Sequence, residues 1–144
     1  MTTPFHLAIP VHDLPAARRF YTDLLGCGEG RCGEDWVDFD FFGHQLVAHT
    51  ISTGEDGRQC MVQVGENMID GHAIPLPHFG TVLSMEAWTE LAERLSRAGV
   101  GFVIPPHRRY EGRINEQASM LLRDPSGNAI EFKAFADPEN LFAT

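Results

Sequence analysis

The chain has 144 residues, the usual size of one domain, and 43% apolar with 22% charged residues excludes a wholly disordered polymer. Acidic residues outnumber basic ones 20 to 11, for a net charge of −9; such a surface repels phosphate backbones and anionic lipids, which argues against nucleic-acid and membrane partners. No apolar run reaches membrane-spanning length, and MTTPFHLAIPVHD does not read as a secretory signal, so the expected compartment is the cytoplasm.

In chain order, the first predicted element is a strand from Phe5 to Val11. It sets Phe5, Leu7, Ile9 and Val11 on one face and His6, Ala8 and Pro10 on the other. Asp13 is a good N-cap and Pro15 suits a first helical turn, so a helix follows. Its buried stripe is Ala17, Phe20, Tyr21, Leu24 and Leu25, and Gly26 ends it. Strands are predicted over Trp36 to Phe42 and Gln45 to Ile51, where Asp38 and Asp40 share a face open to either solvent or a cavity. STGEDGRQ reads as a turn-rich loop, Cys60 to Val64 as a short strand, and ENMIDGHAIPLP as an extended connector.

A strand over Phe79 to Leu83 leads to Ser84, the cap of a second helix. Trp88, Leu91, Ala92, Leu95 and Ala98 form its buried face and Gly99 its end. Strands follow at Gly101 to Ile104, Ser119 to Arg123 and Ala129 to Phe135. Asp124-Pro125-Ser126-Gly127 has the residues of a type I turn and joins the last two as a hairpin. Cys27, Cys32 and Cys60, odd in number and without a CxxC, read as small hydrophobes on strands in a reducing compartment, not as a disulfide or zinc framework.

The two halves repeat. His6 and His78, 72 residues apart, each open a strand; the helix-ending Gly26 and Gly99 are 73 apart; Gly43 and Gly127, each before a final strand, are 84 apart. The second half therefore carries about a dozen extra residues, in PPHRRYEGRINEQ. Each half reads as one βαβββ module, too small to bury its sheet alone, so the fold class is α+β with two paired modules whose sheets form an open cup. The expected organisation is one domain over 1–144: module one at 4–51, a connector at 52–76, module two at 77–136 and a tail at 137–144.

His6, His78 and Glu131 each fall on the strand face opposite the apolar one. Singly, each has a plainer reading: a half-buried hydrogen-bonded histidine, or a solvated glutamate. Jointly, two histidines at matched repeat positions and a carboxylate on the last strand make a two-His-one-carboxylate set with open coordination positions. By position, His49 and Tyr110 are the candidate general bases. Arg108, Arg109 and Arg113 form a local basic cluster suited to an anionic substrate, with a solvated loop as the equal alternative. Glu116 reads either as a pocket carboxylate or as a surface residue. His72 and His107 read as lid or solvent-facing residues, and His12 and His44 as exposed.

HLAIPVHDLPAARRFYTDLLG, PHFGTVL and DPSGNAIEFKAF together resemble the vicinal oxygen chelate superfamily: glyoxalase I, extradiol dioxygenases, fosfomycin-inactivating enzymes and bleomycin-binding proteins. With the helices between these segments the resemblance covers nearly the whole chain. It implies paired βαβββ modules around one divalent metal, Fe2+ or Mn2+ favoured and Ni2+ or Zn2+ allowed, with His6, His78 and Glu131 as ligands. It also implies a small-molecule substrate with adjacent oxygens and a homodimer. The glyoxalase pattern has a second carboxylate in half one, where this chain has Val47, flanked on the same face by Gln45 and His49. Gln45 and Val47 are therefore expected to line the pocket. The expected function is dioxygenase-like chemistry at a His-His-Glu site. The alternatives are a metal-free drug- or metabolite-binding protein and, more weakly, a glyoxalase I-like lyase or a fosfomycin-type thiol transferase.

Overall fold

A computed structural model describes residues 2–51 and 64–144. They form two compact units: the first holds Met1–Gln63 with Asp124–Asn128, the second Val64–Arg123 with Ala129–Thr144. Each carries one βαβββ sheet.

In the first unit, β1 (His6–Val11) leads into α1 (Leu14–Arg18), then β2 (Gly28–Cys32), β3 (Trp36–Phe41) and β4 (His44–Thr50). The sheet order is β1-β4-β3-β2, with β1 parallel to β4 and the remaining pairs antiparallel. The β1 alternation is as expected, with Ile9 and Val11 buried on one side. Asp13 caps α1 by accepting from Ala16 N at 3.0 Å. The helix then widens over Arg19–Leu24, where Leu25 N–H donates to Phe20 O at 3.0 Å. This five-residue spacing departs from the regular helix predicted there and keeps both Phe20 and Tyr21 buried. Tyr21 packs against Phe39, ring centroids 5.0 Å apart. The βαβββ reading requires β2, but no bounds are predicted for it: GEGRC has no apolar alternation, and all five residues are exposed.

The second unit opens with a hairpin of β5 (Gly65–Ile69) and β6 (His72–Leu76), where an extended connector was expected. The module proper is β7 (Phe79–Leu83), α2 (Met85–Arg97), β8 (Phe102–Arg109), β9 (Gln117–Arg123) and β10 (Ala129–Phe135). Its order is β7-β10-β9-β8, with β7 parallel to β10, the same topology as the first sheet. Ser84 caps α2 through Ala87 N, and Trp88, Leu91, Ala92 and Leu95 are its buried stripe; Ala98, expected on that stripe, is exposed. Trp88 Nε1–H donates to Phe132 O at 3.0 Å, so the indole is both packed and satisfied.

The strand β8 runs five residues beyond the predicted Ile104, to Arg109. It tolerates Pro105 and Pro106 because it is an edge strand with register shifts on either side of Ile104. Of the predicted Cys60 to Val64 strand, residues 60–63 lie outside the described residues, and Val64 precedes β5. Cys27 is buried and Cys32 exposed; Cys60 also lies outside the described residues.

The DPSGN turn is built around a buried carboxylate. Asp124 Oδ1 accepts from Ser126 N and Asn128 N, both at 2.9 Å, and Oδ2 accepts from Tyr21 OH and Asn128 Nδ2, both at 2.8 Å. Ser126 Oγ accepts from His12 N at 3.0 Å and meets His12 Nδ1 at 2.7 Å. His12 is therefore half-buried, not exposed. Gly127, at φ +89, takes the left-handed backbone this turn needs. No helix among the described residues is long and apolar enough to cross a membrane.

Candidate functional site

Side-chain parity divides the second sheet cleanly. On β10, Ile130, Phe132 and Ala134 are buried on one side, while Glu131 and Lys133 point to the other. Register carries this second face across the sheet: Glu131 pairs with Leu121 and Lys133 with Ser119, then His107 with Ser119 and Arg109 with Gln117. Ile104, Leu121 and Ala129 form a small apolar cluster on it, and Ile74 of the β5–β6 hairpin packs against them. The hairpin thus covers part of this face and encloses a pocket of about 180 Å³. His78, Glu131, Ser119, Lys133, His72 and His107 are among its lining residues.

His78 sits one residue before β7, and Glu131 lies in the adjacent parallel strand opposite Gly80. A Cβ at Gly80 would fall on the carbonyl oxygen of Glu131, so only glycine lets the two strands approach this closely. His78 Nε2 is 3.1 Å from Glu131 Oε2, and His78 Nδ1 is 2.8 Å from Pro75 O. A carbonyl only accepts, so Nδ1 carries a proton and donates. Ser119 OH donates to the other glutamate oxygen, Oε1, at 2.7 Å. Lys133 Nζ lies 3.8 Å from Oε2.

The hydrogen bond to Glu131 raises the His78 pKa; burial opposes it, and the Pro75 carbonyl reinforces it. Burial alone would push the Glu131 carboxyl upward, but the hydrogen bonds from His78 and Ser119 and the charge of Lys133 outweigh it, and its pKa is lowered. Each group of the pair thus favours the charged form of the other, the imidazolium of His78 and the carboxylate of Glu131.

This pair fits a divalent ion in place of the Nε2 proton. Ligand bonds of about 2.0–2.2 Å put neighbouring ligand atoms roughly 3 Å apart, which is the separation of Nε2 and Oε2. The outer nitrogen of the histidine and the outer oxygen of the carboxylate are each held by a second partner, as metal ligands commonly are. Among the described residues, no group of three or more His, Cys, Asp and Glu side chains is gathered closely enough to hold a metal.

His6, the other predicted ligand, lies in the first unit. Its Nδ1 is 2.8 Å from Gln45 Oε1, and Gln45 Nε2 donates to Asp38 Oδ2 at 3.3 Å. The carboxylate requires the amide nitrogen on its side, which leaves the amide oxygen for His6 Nδ1–H and, among the described residues, the Nε2 lone pair unused. Register puts His6, Gln45, Val47 and Asp38 on one face: His6 pairs with Gln45, Ala8 with Val47 and Asp38 with Val47. Val47 is buried there. Asp38, for which solvent and cavity stood equal, is buried as well, with Arg31 Nε 3.5 Å away. His49 is exposed four residues further along the strand, and His44 Nδ1 accepts from Phe5 N at 2.9 Å.

The basic cluster separates by parity. Arg109 lines the pocket and is ion-paired with Asp70 in the β5–β6 turn. Arg108 pairs with Ala118, on the opposite face, and donates to Thr89 Oγ1 of α2 at 3.0 Å and to Glu116 at 3.4 Å. Glu116 also accepts from Gly112 N at 3.1 Å, so it braces the loop after β8. Tyr110 is exposed at φ 55, and Arg113 is exposed. Sequence reasoning missed the pairing of His72 with His107, whose rings stack with centroids 6.3 Å apart on the pocket wall. The only available signal was an imidazole in each of two segments that read as connector and loop.

A family model, the Glyoxalase/Bleomycin resistance protein/Dioxygenase superfamily, matches residues 3–132. Among solved structures, a glyoxalase/bleomycin resistance protein/dioxygenase from Alicyclobacillus acidocaldarius is 33% identical, with a TM-score of 0.72 over 98% of this chain and 97% of that one. A fosfomycin resistance protein, FosX, from Listeria monocytogenes is 18% identical, with a TM-score of 0.66 over 98% and 99%. A lactoylglutathione lyase from Agrobacterium tumefaciens is 18% identical, with a TM-score of 0.64 over 100% and 98%. These last two share the fold. Comparison with curated proteins gave no match.

Proposed function

From the premise that the chain belongs to the Glyoxalase/Bleomycin resistance protein/Dioxygenase superfamily, we propose that it is a metal-dependent enzyme acting on a small molecule with adjacent oxygens. Members of this superfamily bind small molecules, usually hold a divalent metal and are often dimeric. In this reading His78 and Glu131 hold the ion, His6 is the third ligand, and the chemistry is dioxygenase-like. Fe2+ or Mn2+ is the favoured ion, and the protein acts as a homodimer. The carrying observation is the His78–Glu131 pair, 3.1 Å apart with each outer atom anchored.

When bound, a divalent ion with three protein ligands supplies Lewis acidity to two neighbouring substrate oxygens. The remaining work falls to the chain itself. Ser119 and the Pro75 carbonyl orient Glu131 and His78. His107 Nδ1 is turned to Pro105 O at 3.1 Å, which leaves Nε2 to take or return a substrate proton from the pocket wall. Ile69, Ile74 and Ile104 give the pocket apolar surface for a substrate's hydrocarbon part. The pocket volume lies below the roughly 300–1,000 Å³ of drug-sized sites, which favours a small metabolite over a sequestered drug.

The test is elemental analysis of untagged protein purified anaerobically without chelator, beside a His78→Ala variant. Near-stoichiometric iron or manganese in the wild type, lost in the variant, supports the reading. No metal, and no uptake on adding Fe(II), Mn(II), Ni(II) or Zn(II), overturns it in favour of metal-free ligand binding.

A further inference from the structure

We infer that the pocket of the second unit takes a small carboxylic acid with an oxygen on the carbon next to the carboxylate, a 2-hydroxy or 2-oxo acid, and that Lys133 and Arg109 are its specificity residues. The inference deepens the metal-dependent reading and rests on it.

Charge carries the first part of the argument. The chain as a whole is strongly acidic, yet its charged pocket-lining groups are Lys133, Arg109 and Glu131, with the His72 and His107 imidazoles beside them. Lys133 lies 3.8 Å from Glu131, too far for a tight pair. Arg109 is tied to Asp70, but both side chains are substantially exposed, so the pair orients the guanidinium more than it neutralises it. A divalent ion in place of the His78 Nε2 proton adds one further net positive charge. A neutral diol would leave this excess unanswered within the pocket walls, whereas a carboxylate compensates it.

Shape carries the second part. The pocket holds about 180 Å³. Its floor is the β10–β9–β8 face, with Glu131, Lys133, Ser119, His107 and Ile104, and the β5–β6 hairpin brings Ile69 and Ile74 to it. A short alkyl chain suits the isoleucines, and a compact charged head suits Lys133, Arg109 and His107. A 2-hydroxy or 2-oxo acid places two adjacent oxygens and one negative charge in the same head.

The test uses full-length protein loaded with Mn(II), its manganese content measured first. It is titrated calorimetrically with 2-hydroxybutyrate, its neutral counterpart 1,2-butanediol, catechol and inorganic phosphate. The acid is expected to bind about tenfold or more tightly than the diol, catechol or phosphate, the scale of one charge-assisted hydrogen bond. Lys133→Met and Arg109→Met are each expected to weaken the acid several-fold while diol affinity and manganese content stay unchanged. Equal or tighter binding of catechol, diol or phosphate overturns the inference, as does acid affinity indifferent to both substitutions. Absence of bound manganese instead defeats the metal reading. The metal-free protein is then titrated with the acid, where loss of binding in the Lys133→Met variant still supports the charged recognition and indifference overturns it.

Discussion

Glu131 and Gly80 lie opposite one another in adjacent parallel strands, with the glutamate carbonyl where a Gly80 side chain would begin. The missing Cβ sets the spacing of β7 from β10, and with it the distance of His78 from Glu131. Gly80→Ala is expected to force the strands apart at a cost of about 1–3 kcal/mol, as overpacking does, and to weaken metal binding at the same time. Thermal denaturation and metal titration of that variant check both; a variant with unchanged melting temperature and metal affinity contradicts this account.

Removing a ligand should cost more than loosening one. Ser119→Ala frees one glutamate oxygen and is expected to lower metal affinity about 10–100-fold, the usual effect of losing an outer partner. Glu131→Gln is expected to lose at least that much. Competitive titration with a fluorescent chelator measures the order of the two; a Ser119 variant weaker than the Glu131 variant would reverse the assigned roles.

Gln45 holds His6 as Ser119 holds Glu131. Gln45→Ala is expected to reduce metal affinity about 10–100-fold if His6 is the third ligand, with folding little changed because the residue is only half-buried. His6→Ala should reproduce the loss, and the double variant should add little to it. Wild-type affinity in both single variants removes His6 from the ligand set.

Tyr21 is fully buried and donates to Asp124. Burial, reinforced by the Asp124 charge, holds its pKa well above 10.0. Above pH 10 the unfolded chain loses the phenolic proton while the folded chain keeps it. Stability is therefore full below that pH and falls as pH rises, by up to about 1.4 kcal/mol per unit. Tyr21→Phe is expected to cost about 1–3 kcal/mol at neutral pH, by leaving Asp124 short of a donor, and to flatten the alkaline slope. Urea melts of both proteins between pH 7 and 11 test this; a parallel slope in the variant refutes it.

Local chemistry was legible in the sequence wherever a rule acts over a few residues. Asp13 and Ser84 cap the helices as their types predict, the alternation in β1 and β10 puts His6 and Glu131 opposite the apolar faces, and DPSG makes the predicted turn. The repeat of His6 and His78 was visible because both halves share one order of elements. The β5–β6 hairpin escaped because GENMI and HAIPL carry no clean alternation and are largely exposed. Arg108 and Arg109 were inseparable because their faces depend on the register shifts in a proline-bearing edge strand.

The sequence by itself determined the two βαβββ modules, their caps and turns, and the strand faces on which His6 and Glu131 stand, since periodicity and turn chemistry are properties of neighbouring residues. Only the tertiary structure decided that Glu131 meets His78 and Ser119, that His72 stacks on His107, and that Arg109 lines the pocket while Arg108 braces α2. Those contacts join residues far apart in the chain, and register and close strand approach, which no local pattern encodes, bring them within reach.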